Sequence, residues 1–506
     1  MKYFLKNALI ILITLFLIQC AGNENGGTSG ESSGDDQPAP APTLSSISPD
    51  ALASNLPPFT LTATGSNFVN DSKIVFDGAE KTTTYVSSTE LNCEIETNDI
   101  QENALSSSNS SISILDKSVD VIVRNPSDQG GDSSSQTFSI LTNPDFNEQV
   151  NVSNTNSKNS NRPTIAVDSM DRLHLAYSEQ NGSVRSVYYA NSEDGGESWS
   201  TPQMVSNIQG DYPSIAVGDD DKVHLVYTDQ AAGQDGLKYV RSDDGGVSWT
   251  SEVEIPGTTV HDKYPSIAVD NGGRIFVAWE WWTGYSAYNI ETYFSRSTNN
   301  GSSWSTPVNL SNNDGFSGDA RTAVDDAGNV YVVWEDDTPG NNDIYLRRSP
   351  DRGVSWNAVK NVTANPANSN APDIAVDTDG KLYLVYSETA SPSNIYFKRS
   401  QDKGASWSSA KKVCNTSDYS GSPRIALDSV KNISVVWDEN AGGYCSVYYS
   451  RSLNNGDSWT SFVDVDPASN DTSDPDLAVD SGGHINIACG DWTPMNNIYF
   501  CGSKRK

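Results

Sequence analysis

The chain has 506 residues, which exceeds the size of a single hydrophobic core and indicates two or more domains. Its 65 acidic residues outnumber the 33 basic ones and give a formal net charge of −32 at pH 7. This balance excludes nucleic acid as a partner, because binding phosphates requires clustered lysine and arginine, and it argues against adhesion to anionic lipid.

The first twenty residues have the pattern of an export signal. Lys2 and Lys6 precede an apolar run over residues 8–18, and Cys20 follows the run closely. The run is shorter than a bilayer-spanning helix requires, and no other stretch is apolar enough to cross a membrane. The position of Cys20 resembles a bacterial lipoprotein signal, in which the chain is cut before the cysteine and the cysteine is lipidated. The resemblance implies a signal peptide over residues 1–20 and a lipid anchor at the outer membrane or cell surface. An ordinary signal peptide or a retained anchor is the alternative.

Residues 21–42 contain small, polar and acidic residues and no large apolar side chain, so we expect a flexible linker. Residues 43–142 alternate apolar and polar residues between turn signals, which is typical of short strands in a β-sandwich. This segment resembles the IPT/TIG immunoglobulin-like family at Ile47-Ser-Pro49, Thr64-Gly-Ser-Asn-Phe68 and Val75-Phe-Asp-Gly78. The resemblance implies a spacer or a binding module without chemistry.

Residues 144–506 consist of repeats of 50–55 residues. The string Ala-Val-Asp, or a close variant, marks each repeat and ends at Asp168, Gly218, Asp270, Asp325, Asp377, Asp428 and Asp480. Four predicted strands per repeat favour a propeller blade, and seven repeats predict seven blades. Residues 146–152 resemble an outer strand, so we expect them to complete the last blade and leave no open edge. The predicted fold class is all-β: an immunoglobulin-like β-sandwich followed by a seven-bladed β-propeller.

Six predicted hairpins carry the pattern S-x-D-x-G-x-x-W, in which Asn twice replaces Asp. The acidic or amide residue is Asp194, Asp244, Asn299, Asp351, Asp402 or Asn454. This side chain can accept N–H groups of its own turn, glycine supplies a positive φ, and tryptophan can be buried between sheets. The pattern resembles the Asp-box, or BNR repeat, of sialidase-like propellers. The resemblance implies a structural motif on the face away from the active site. Each hairpin offers too few ligands for calcium, so we expect no metal, and no motif indicates a cofactor.

An acidic residue recurs near the end of the predicted second strand, on the face opposite the Asp-boxes. The acid lies two positions after a residue that is aromatic in every repeat but the last. The acids are Glu179, Asp229, Asp336, Glu388, Glu439 and Asp491. An acidic mouth could bind a cation, a basic peptide or a sugar transition state. The alternative is that each acid caps its own loop.

The third repeat has the longest variable loop, which is rich in aromatic residues. It contains Glu280, Trp281, Trp282, Tyr285 and Tyr288. Exposed aromatic rings beside polar groups form stacking platforms for sugars or anchors for protein partners. The alternative is that these rings only cover the packing of their own loop.

Three arginines, Arg162, Arg321 and Arg424, fall near the start of the predicted first strand at positions of the same parity. They could converge on an anion. The sialidase resemblance implies such a cluster for a substrate carboxylate, but Arg162 directly precedes Pro163, whereas the family's first arginine lies two residues before this proline. No catalytic residue is therefore assigned.

Other candidate residues have simpler explanations. His174 and His224 occupy equivalent strand positions, so we expect packing residues rather than bases. Cys414 and Cys445 could be close in adjacent blades, and an exported protein could form a disulfide between them.

These observations predict a lipid-anchored exported protein whose propeller binds a glycan or an extracellular protein without catalysis. A sialidase-type exo-glycosidase and an architectural spacer are the alternatives. The identity of the ligand, and whether the anchored protein faces the periplasm or the outside, stay open at this point.

Overall fold

The computed structural model describes residues 39–49, 51–53, 58–96, 99, 117–141, 143–154, 158–206, 209–229, 236–259, 262–282, 290–389, 392–416, 418–441, 444–465, 472–491 and 496–505. These residues form almost entirely β-structure, with a short 3-10 turn at Ser127–Gln129. None of the described helical turns has the length and apolar character needed to span a bilayer. Cys20, residues 21–38, Tyr285 and Tyr288 lie outside the described residues.

Nine strands form the first domain. They are β1 (Thr43–Ser48), β2 (Ala51–Ala53), β3 (Phe59–Ser66), β4 (Lys73–Phe76), β5 (Ala79–Glu80), β6 (Thr83–Ser87), β7 (Glu90–Ile95), β8 (Lys117–Arg124) and β9 (Gln136–Leu141). One sheet has the order β1-β3-β7-β6 and the other β2-β9-β8-β4-β5. Their apolar residues meet in one core, where Phe138 stacks on Phe59 and meets Phe76 edge-on. This is the predicted immunoglobulin-like sandwich.

Seven further sheets follow, each with four antiparallel strands. We number them blades 1 to 7. The first strands are β11 (Asn159–Val167), β15 (Asp211–Val217), β19 (Asp262–Val269), β23 (Ser317–Val324), β27 (Ser369–Val376), β31 (Tyr419–Leu427) and β35 (Thr472–Val479). The second strands are β12 (Leu173–Asn181), β16 (Val223–Asp229), β20 (Ile275–Trp282), β24 (Val330–Asp336), β28 (Leu382–Glu388), β32 (Ile433–Ala441) and β36 (Ile485–Asp491).

The outer half of each blade is a third strand and a short fourth strand. The third strands are β13 (Val184–Ser192), β17 (Gly236–Ser242), β21 (Ile290–Ser297), β25 (Asp343–Ser349), β29 (Asn394–Ser400), β33 (Tyr444–Ser452) and β37 (Ile498–Gly502). The fourth strands are β14 (Gln203–Met204), β18 (Val253–Glu254), β22 (Val308–Asn309), β26 (Lys360–Asn361), β30 (Lys411–Lys412), β34 (Val463–Asp464) and, for blade 7, β10 (Val150–Asn151). Each first strand contacts the first strand of the next blade, and β35 contacts β11, so the seven sheets form the closed ring of a β-propeller.

The ring is closed by a strand that precedes blade 1 in the chain. β10 pairs antiparallel with β37, with Val150 opposite Phe500. The backbone N–H of Val152 continues this pairing by donating to the carbonyl oxygen of Ile498 at 2.8 Å. Val152 is buried in the apolar cluster between blades 7 and 1. The prediction that residues 146–152 complete the last blade is confirmed.

The Asp-box hairpins share one hydrogen-bond pattern, which blade 2 illustrates. Ser242 Oγ donates to Asp244 Oδ1 at 2.7 Å and accepts the N–H of Gly246 at 2.8 Å. Asp244 Oδ1 accepts the N–H of Ser248, and Asp244 Oδ2 accepts the Ser248 hydroxyl. The serine that follows each aspartate by four positions donates both its hydroxyl and its backbone N–H to the carboxylate. These hydrogen bonds hold the pKa of Asp244, Asp351 and Asp402 at about 2. The aspartate is thus engaged with its own turn.

The Asp-box tryptophans join neighbouring blades. In blades 1 to 4 and in blade 6, the indole meets an aromatic ring of the preceding blade edge-on; the pairs are Trp199 with Phe500, Trp249 with Tyr189, Trp304 with Tyr239, Trp356 with Phe294 and Trp459 with Phe397. Their centroids lie 4.8–5.4 Å apart. Edge-to-face pairs of this kind add to the energy of apolar burial.

The structure has no disulfide between Cys414 and Cys445, so this expectation is wrong. Cys414 is buried in the core between blades 5 and 6, and its Sγ accepts the N–H of Ile395 at 3.3 Å. Cys445 is only partly buried and lies on β33, in the outer half of blade 6. The two thiols therefore belong to different environments.

We expect Val152→Ala to lower the free energy of unfolding by about 2 kcal/mol, because it removes buried methyl groups from the strand that closes the ring. Val308→Ala provides a matched control. Val308 lies on the fourth strand of blade 3 but is 38% exposed. Its replacement should change stability by less than about 0.5 kcal/mol. Urea denaturation followed by tryptophan fluorescence measures both. Equal stability of the two variants would contradict closure by β10.

Candidate functional site

The first strands of all seven blades surround a central cavity of about 390 Å³. The first strands run from the face opposite the Asp-boxes, which we call the mouth, toward the Asp-box face. This direction follows from the register in blade 1, where Val167 ends the first strand opposite Leu173, and Leu173 lies opposite the Asp-box residue Ser192. The residues that line the cavity come from the middle of these strands, as do residues 162–165 of β11.

Each first strand contains a β-bulge at the cavity wall. The bulge residue has a positive φ of 47–54° in every blade, and the seven residues are Arg162, Tyr212, Tyr264, Asp319, Ala371, Ser422 and Asp474. The register of the first two strands breaks at this point in each blade. A bulge re-aims side chains and is common beside functional sites. All seven bulge residues line the cavity.

Two positions after the bulge, a side-chain oxygen connects neighbouring blades. It accepts a backbone N–H from the first strand of the next blade, and the pairs are Thr164 with Ile215, Ser214 with Ile267, Ser266 with Thr322, Asp373 with Ile425 and Asp476 with Ile165. These contacts measure 2.8–3.5 Å. We call them the inter-blade ladder. The ladder satisfies N–H groups on the innermost strands, which have no further strand beside them in their own sheet.

Blades 4 and 6 depart from the ladder because Arg321 and Arg424 occupy the acceptor position. A guanidinium has five N–H donors and no acceptor, so it cannot make the ladder bond. Arg321 Nη1 donates to the carbonyl oxygen of Ala320 at 3.0 Å, and its Nε lies 4.0 Å from Asp373 Oδ1. Arg424 Nη1 donates to the carbonyl oxygen of Pro423 at 2.9 Å. In the described part of the chain, these are the hydrogen bonds of the two guanidinium groups, and the buried carboxylate of Asp373 interacts electrostatically with both.

The two guanidinium groups are close enough to affect each other. Burial, and next the positive charge of Arg424, hold the pKa of Arg321 below its ordinary value. Within the described part of the chain, no carboxylate oxygen lies within ion-pair distance, 4.0 Å, of Arg424. An anion placed between the two arginines would reduce their mutual repulsion and accept their free N–H groups.

Arg162 lines the same cavity but is engaged with the wall. Its Nη1 donates to both carboxylate oxygens of Asp211, at 2.8 and 3.1 Å, and its Nη2 donates to the hydroxyl of Tyr212. The guanidinium also lies over the Tyr212 ring, 4.0 Å from the centroid, and Tyr212 meets Tyr264 edge-on. The structure thus brings all three sequence-identified arginines to one cavity, with an aromatic side in blades 2 and 3.

Buried glutamates hold two of the bulges in place. Glu280 Oε1 accepts the N–H of Asp319, and Glu335 Oε2 accepts the N–H of Ala371, both at 2.8 Å. Burial, and next the charge of Asp319, raise the pKa of Glu280 to about 7 and that of Glu335 to about 8. The sequence singles out Glu280 but not Glu335, because Glu335 directly precedes the recurrent acid Asp336 and is not itself one of the recurrent acids.

The six recurrent acids do not line the cavity. Each is buried within its own blade: Glu179, Asp229, Asp336, Glu388, Glu439 and Asp491. Asp336 Oδ2, for example, accepts bonds from Asn313, Ser317 and the Trp334 indole, and Glu179 pairs with Lys158. These contacts favour the alternative in which each acid serves its own blade.

The two described tryptophans of the blade 3 loop are partly buried. Trp281 packs into the core between blades 2 and 3 and meets Tyr293 edge-on at 5.1 Å. Trp282 donates its indole N–H to Glu280 Oε2 at 3.0 Å, and the Lys263 ammonium lies over its ring. Both rings therefore have partners within their own blade.

The two sequence-identified histidines are buried in the blades. His174 Nδ1 bonds the hydroxyl of Tyr189 at 2.7 Å, and its Nε2 lies 3.2 Å from Asp168 Oδ2. His224 Nδ1 makes the corresponding contact with Tyr239, and burial lowers the pKa of His224 to about 4. These contacts place both rings in the scaffold.

Two protein-family models match the chain. Residues 42–140 match the IPT/TIG domain, and residues 126–277 match the BNR repeat-like domain. A comparison with curated proteins gives no match.

Several solved structures are similar in fold. A protein of unknown function from Dyadobacter fermentans is 16% identical, with a TM-score of 0.48, and the match covers 62% of this chain and 99% of that one. A polysaccharide lyase, an ulvan lyase, is 13% identical with a TM-score of 0.49, covering 70% and 95%. The NanB sialidase from Streptococcus pneumoniae is 12% identical with a TM-score of 0.42, covering 88% and 83%. The chain therefore carries a segment that matches the IPT/TIG domain, followed by a β-propeller whose first part matches the BNR repeat-like domain.

Proposed function

We propose that the propeller binds an anionic glycan in its central cavity, without catalysis, and that it does so on an exported, lipid-anchored protein. The observation that carries this proposal is the replacement of two ladder acceptors by Arg321 and Arg424. In five blades the residue at this position accepts a hydrogen bond from the next blade, whereas the arginines of blades 4 and 6 cannot accept one. Free guanidinium donors facing a cavity fit a carboxylate, sulfate or phosphate group.

The rest of the wall suits a sugar ring. Tyr212 and Tyr264 offer aromatic surface on one side, and the hydroxyl of Ser422 and the carboxylates of Asp319 and Asp474 lie on the other side. A pyranose has an apolar C–H face that packs on aromatic rings and hydroxyls that bond to carboxylates. An acidic sugar combines these groups with the anion that the arginines require.

The size of the cavity favours a glycan over an extracellular protein. Its volume of about 390 Å³ is near the lower end of the range for small-ligand sites, which is roughly 300–1,000 Å³. Such a space holds the end of a sugar chain, whereas protein partners use wider surfaces. The two buried glutamates, Glu280 and Glu335, each accept a backbone N–H of a bulge residue, which supports a binding role rather than turnover.

We expect Arg321→Ser and Arg424→Ser, singly and together, to abolish binding of acidic glycans without loss of stability. Serine restores the acceptor found in blades 2 and 3, so each change should add a ladder bond worth about 1 kcal/mol. A glycan array, followed by calorimetric titration with galacturonic acid and galactose, measures binding. Thermal unfolding measures stability.

Ser214→Thr is the matched control, because it keeps an acceptor in the ladder and should leave binding and stability unchanged. Galactose, which lacks the carboxylate, should bind wild type at least tenfold more weakly than galacturonic acid. Unchanged binding by the double arginine variant, or an absence of acidic glycans among those bound, would contradict the proposal.

The second candidate is a sialidase-type exo-glycosidase. The observation in its favour is that Arg162, Arg321 and Arg424 all line one cavity. Because Arg162 is bound by Asp211 and Tyr212, we expect no turnover. Incubation of wild type with a fluorogenic sialoside and a panel of other fluorogenic glycosides tests this. If the wild type hydrolysed one of these substrates and Arg321→Ala did not, the function would be catalysis and not binding alone.

The lipid anchor is tested independently of the ligand. We expect the full-length chain, expressed in a bacterial host, to incorporate labelled palmitate, and Cys20→Ser to lose the label, because only the thiol accepts the lipid. Cys93→Ser is the control, since Cys93 is buried in the first domain. Equal labelling of wild type and Cys20→Ser would refute the anchor.

A further inference from the structure

The two arginine blades share a second sequence feature that the other five lack. Blade 4 reads Phe316-Ser-Gly-Asp-Ala-Arg321 and blade 6 reads Tyr419-Ser-Gly-Ser-Pro-Arg424. An aromatic residue thus lies three positions before the bulge and a glycine one position before it. The residues that correspond to the aromatic in the other blades are polar: Asn159, Gln209, His261, Asn368 and Asp471. The arginine and the aromatic residue therefore occur together.

The glycine lets the aromatic ring lie directly on the strand. A Cβ atom added at Gly318 would come within 2.5 Å of Phe316 Cζ. One added at Gly421 would come within 2.9 Å of Tyr419 Cε1 and 3.0 Å of its hydroxyl. Any other residue at either position would displace the ring, so each glycine fixes the position of its aromatic neighbour.

In each of the two blades, the serine between the aromatic residue and the glycine fixes the backbone of this segment. Ser317 Oγ donates to Asp336 Oδ2 at 2.9 Å, and Ser420 Oγ lies 3.5 Å from Glu439 Oε2. Both serines are fully buried. The recurrent acids of these two blades thus support the segment that carries the aromatic ring, although they do not reach the cavity themselves.

Both aromatic residues lie nearer to the mouth along the chain than the arginine of the same blade. Tyr419 begins β31 and Phe316 directly precedes β23, so each lies farther toward the mouth than the bulge residue of its blade. The Tyr419 side chain is 55% exposed, and Phe316 is partly exposed. A large aromatic ring that is held in place yet exposed beside polar groups is a surface for ligand packing.

We propose that Tyr419 and Phe316 form a second sugar subsite at the mouth, so that the ligand is an acidic oligosaccharide rather than a single acidic sugar. The terminal anionic ring lies in the cavity between Arg321 and Arg424, and the next ring packs on the aromatic residues. This inference rests on the proposed function, because the first ring must bind for the second to be placed. The same two blades supply the charge and the aromatic surface, so affinity rises with chain length.

The test compares galacturonic acid with digalacturonic acid by calorimetric titration of the full chain. Wild type should bind the disaccharide about threefold to tenfold more tightly than the monosaccharide, as expected for one stacking contact. Tyr419→Ala and Phe316→Ala should remove most of this gain and leave the affinity for the monosaccharide unchanged. Tyr419→Phe keeps the ring and should retain the gain.

Asn159→Ala is the matched control. Asn159 is an exposed residue at the corresponding position of blade 1, which lacks a ladder arginine. This variant should behave as wild type with both sugars. Equal affinity of wild type for the two sugars, or a gain that survives in both alanine variants, would overturn the mouth subsite while leaving the arginine cavity intact. Failure of wild type to bind either sugar would overturn the proposed function and the subsite together.

Discussion

The innermost strand of each blade has a partner on one side only, and its remaining N–H groups must be satisfied across the gap to the next blade. The inter-blade ladder meets this need with side-chain oxygens in five blades. A buried donor without an acceptor costs about 1–3 kcal/mol. The residue type at a ladder position is therefore restricted to hydrogen-bond acceptors, unless a function of the protein requires another residue there. Arg321 and Arg424 are such exceptions, and sites that break a local rule of the scaffold are where function is concentrated.

Acidic side chains on the second strand point to one of two sides, and the side decides their role. Those on one side serve the packing of their own blade, and those on the other side hold the bulges of the cavity wall. Trp279 packs toward blade 2, in a core with Val226 and Leu237. Glu280, one position later, points the other way and holds the bulge of blade 4. Because side chains alternate along a strand, the recurrent acids two positions after the aromatic return to its side. The acids that recur in six blades therefore serve the packing of the blades, whereas residues that differ between blades shape the cavity.

This distinction explains what the sequence could and could not predict. The repeats, the Asp-box hairpins and the closing strand follow from local patterns and appear in the structure at the expected places. The arginines could be grouped because they lie at positions of the same parity near the start of the first strand. The bulge could not be foreseen, because Arg162, Ala371 and Asp474 give no local signal for a positive φ. The ladder was also hidden, since four of its pairs lie 51–56 residues apart and the fifth, Asp476 with Ile165, lies 311 residues apart. Its acceptors are ordinary serines, threonines and aspartates.

Closure by β10 has a consequence for the order of folding. The N–H of Ile498 bonds Ser153 Oγ across a separation of 345 positions, whereas the partners within most blades are close in the chain. As the chain is synthesised, β10 emerges before any blade and has no partner until β37 is complete. Contacts between residues so far apart in the sequence form late, because closing the long loop between them costs conformational entropy before the contacts can stabilise the fold. The final docking of β10 thus converts a row of stacked sheets into a ring, and until then the exposed edge of blade 7 is a place where two chains can join by mistake.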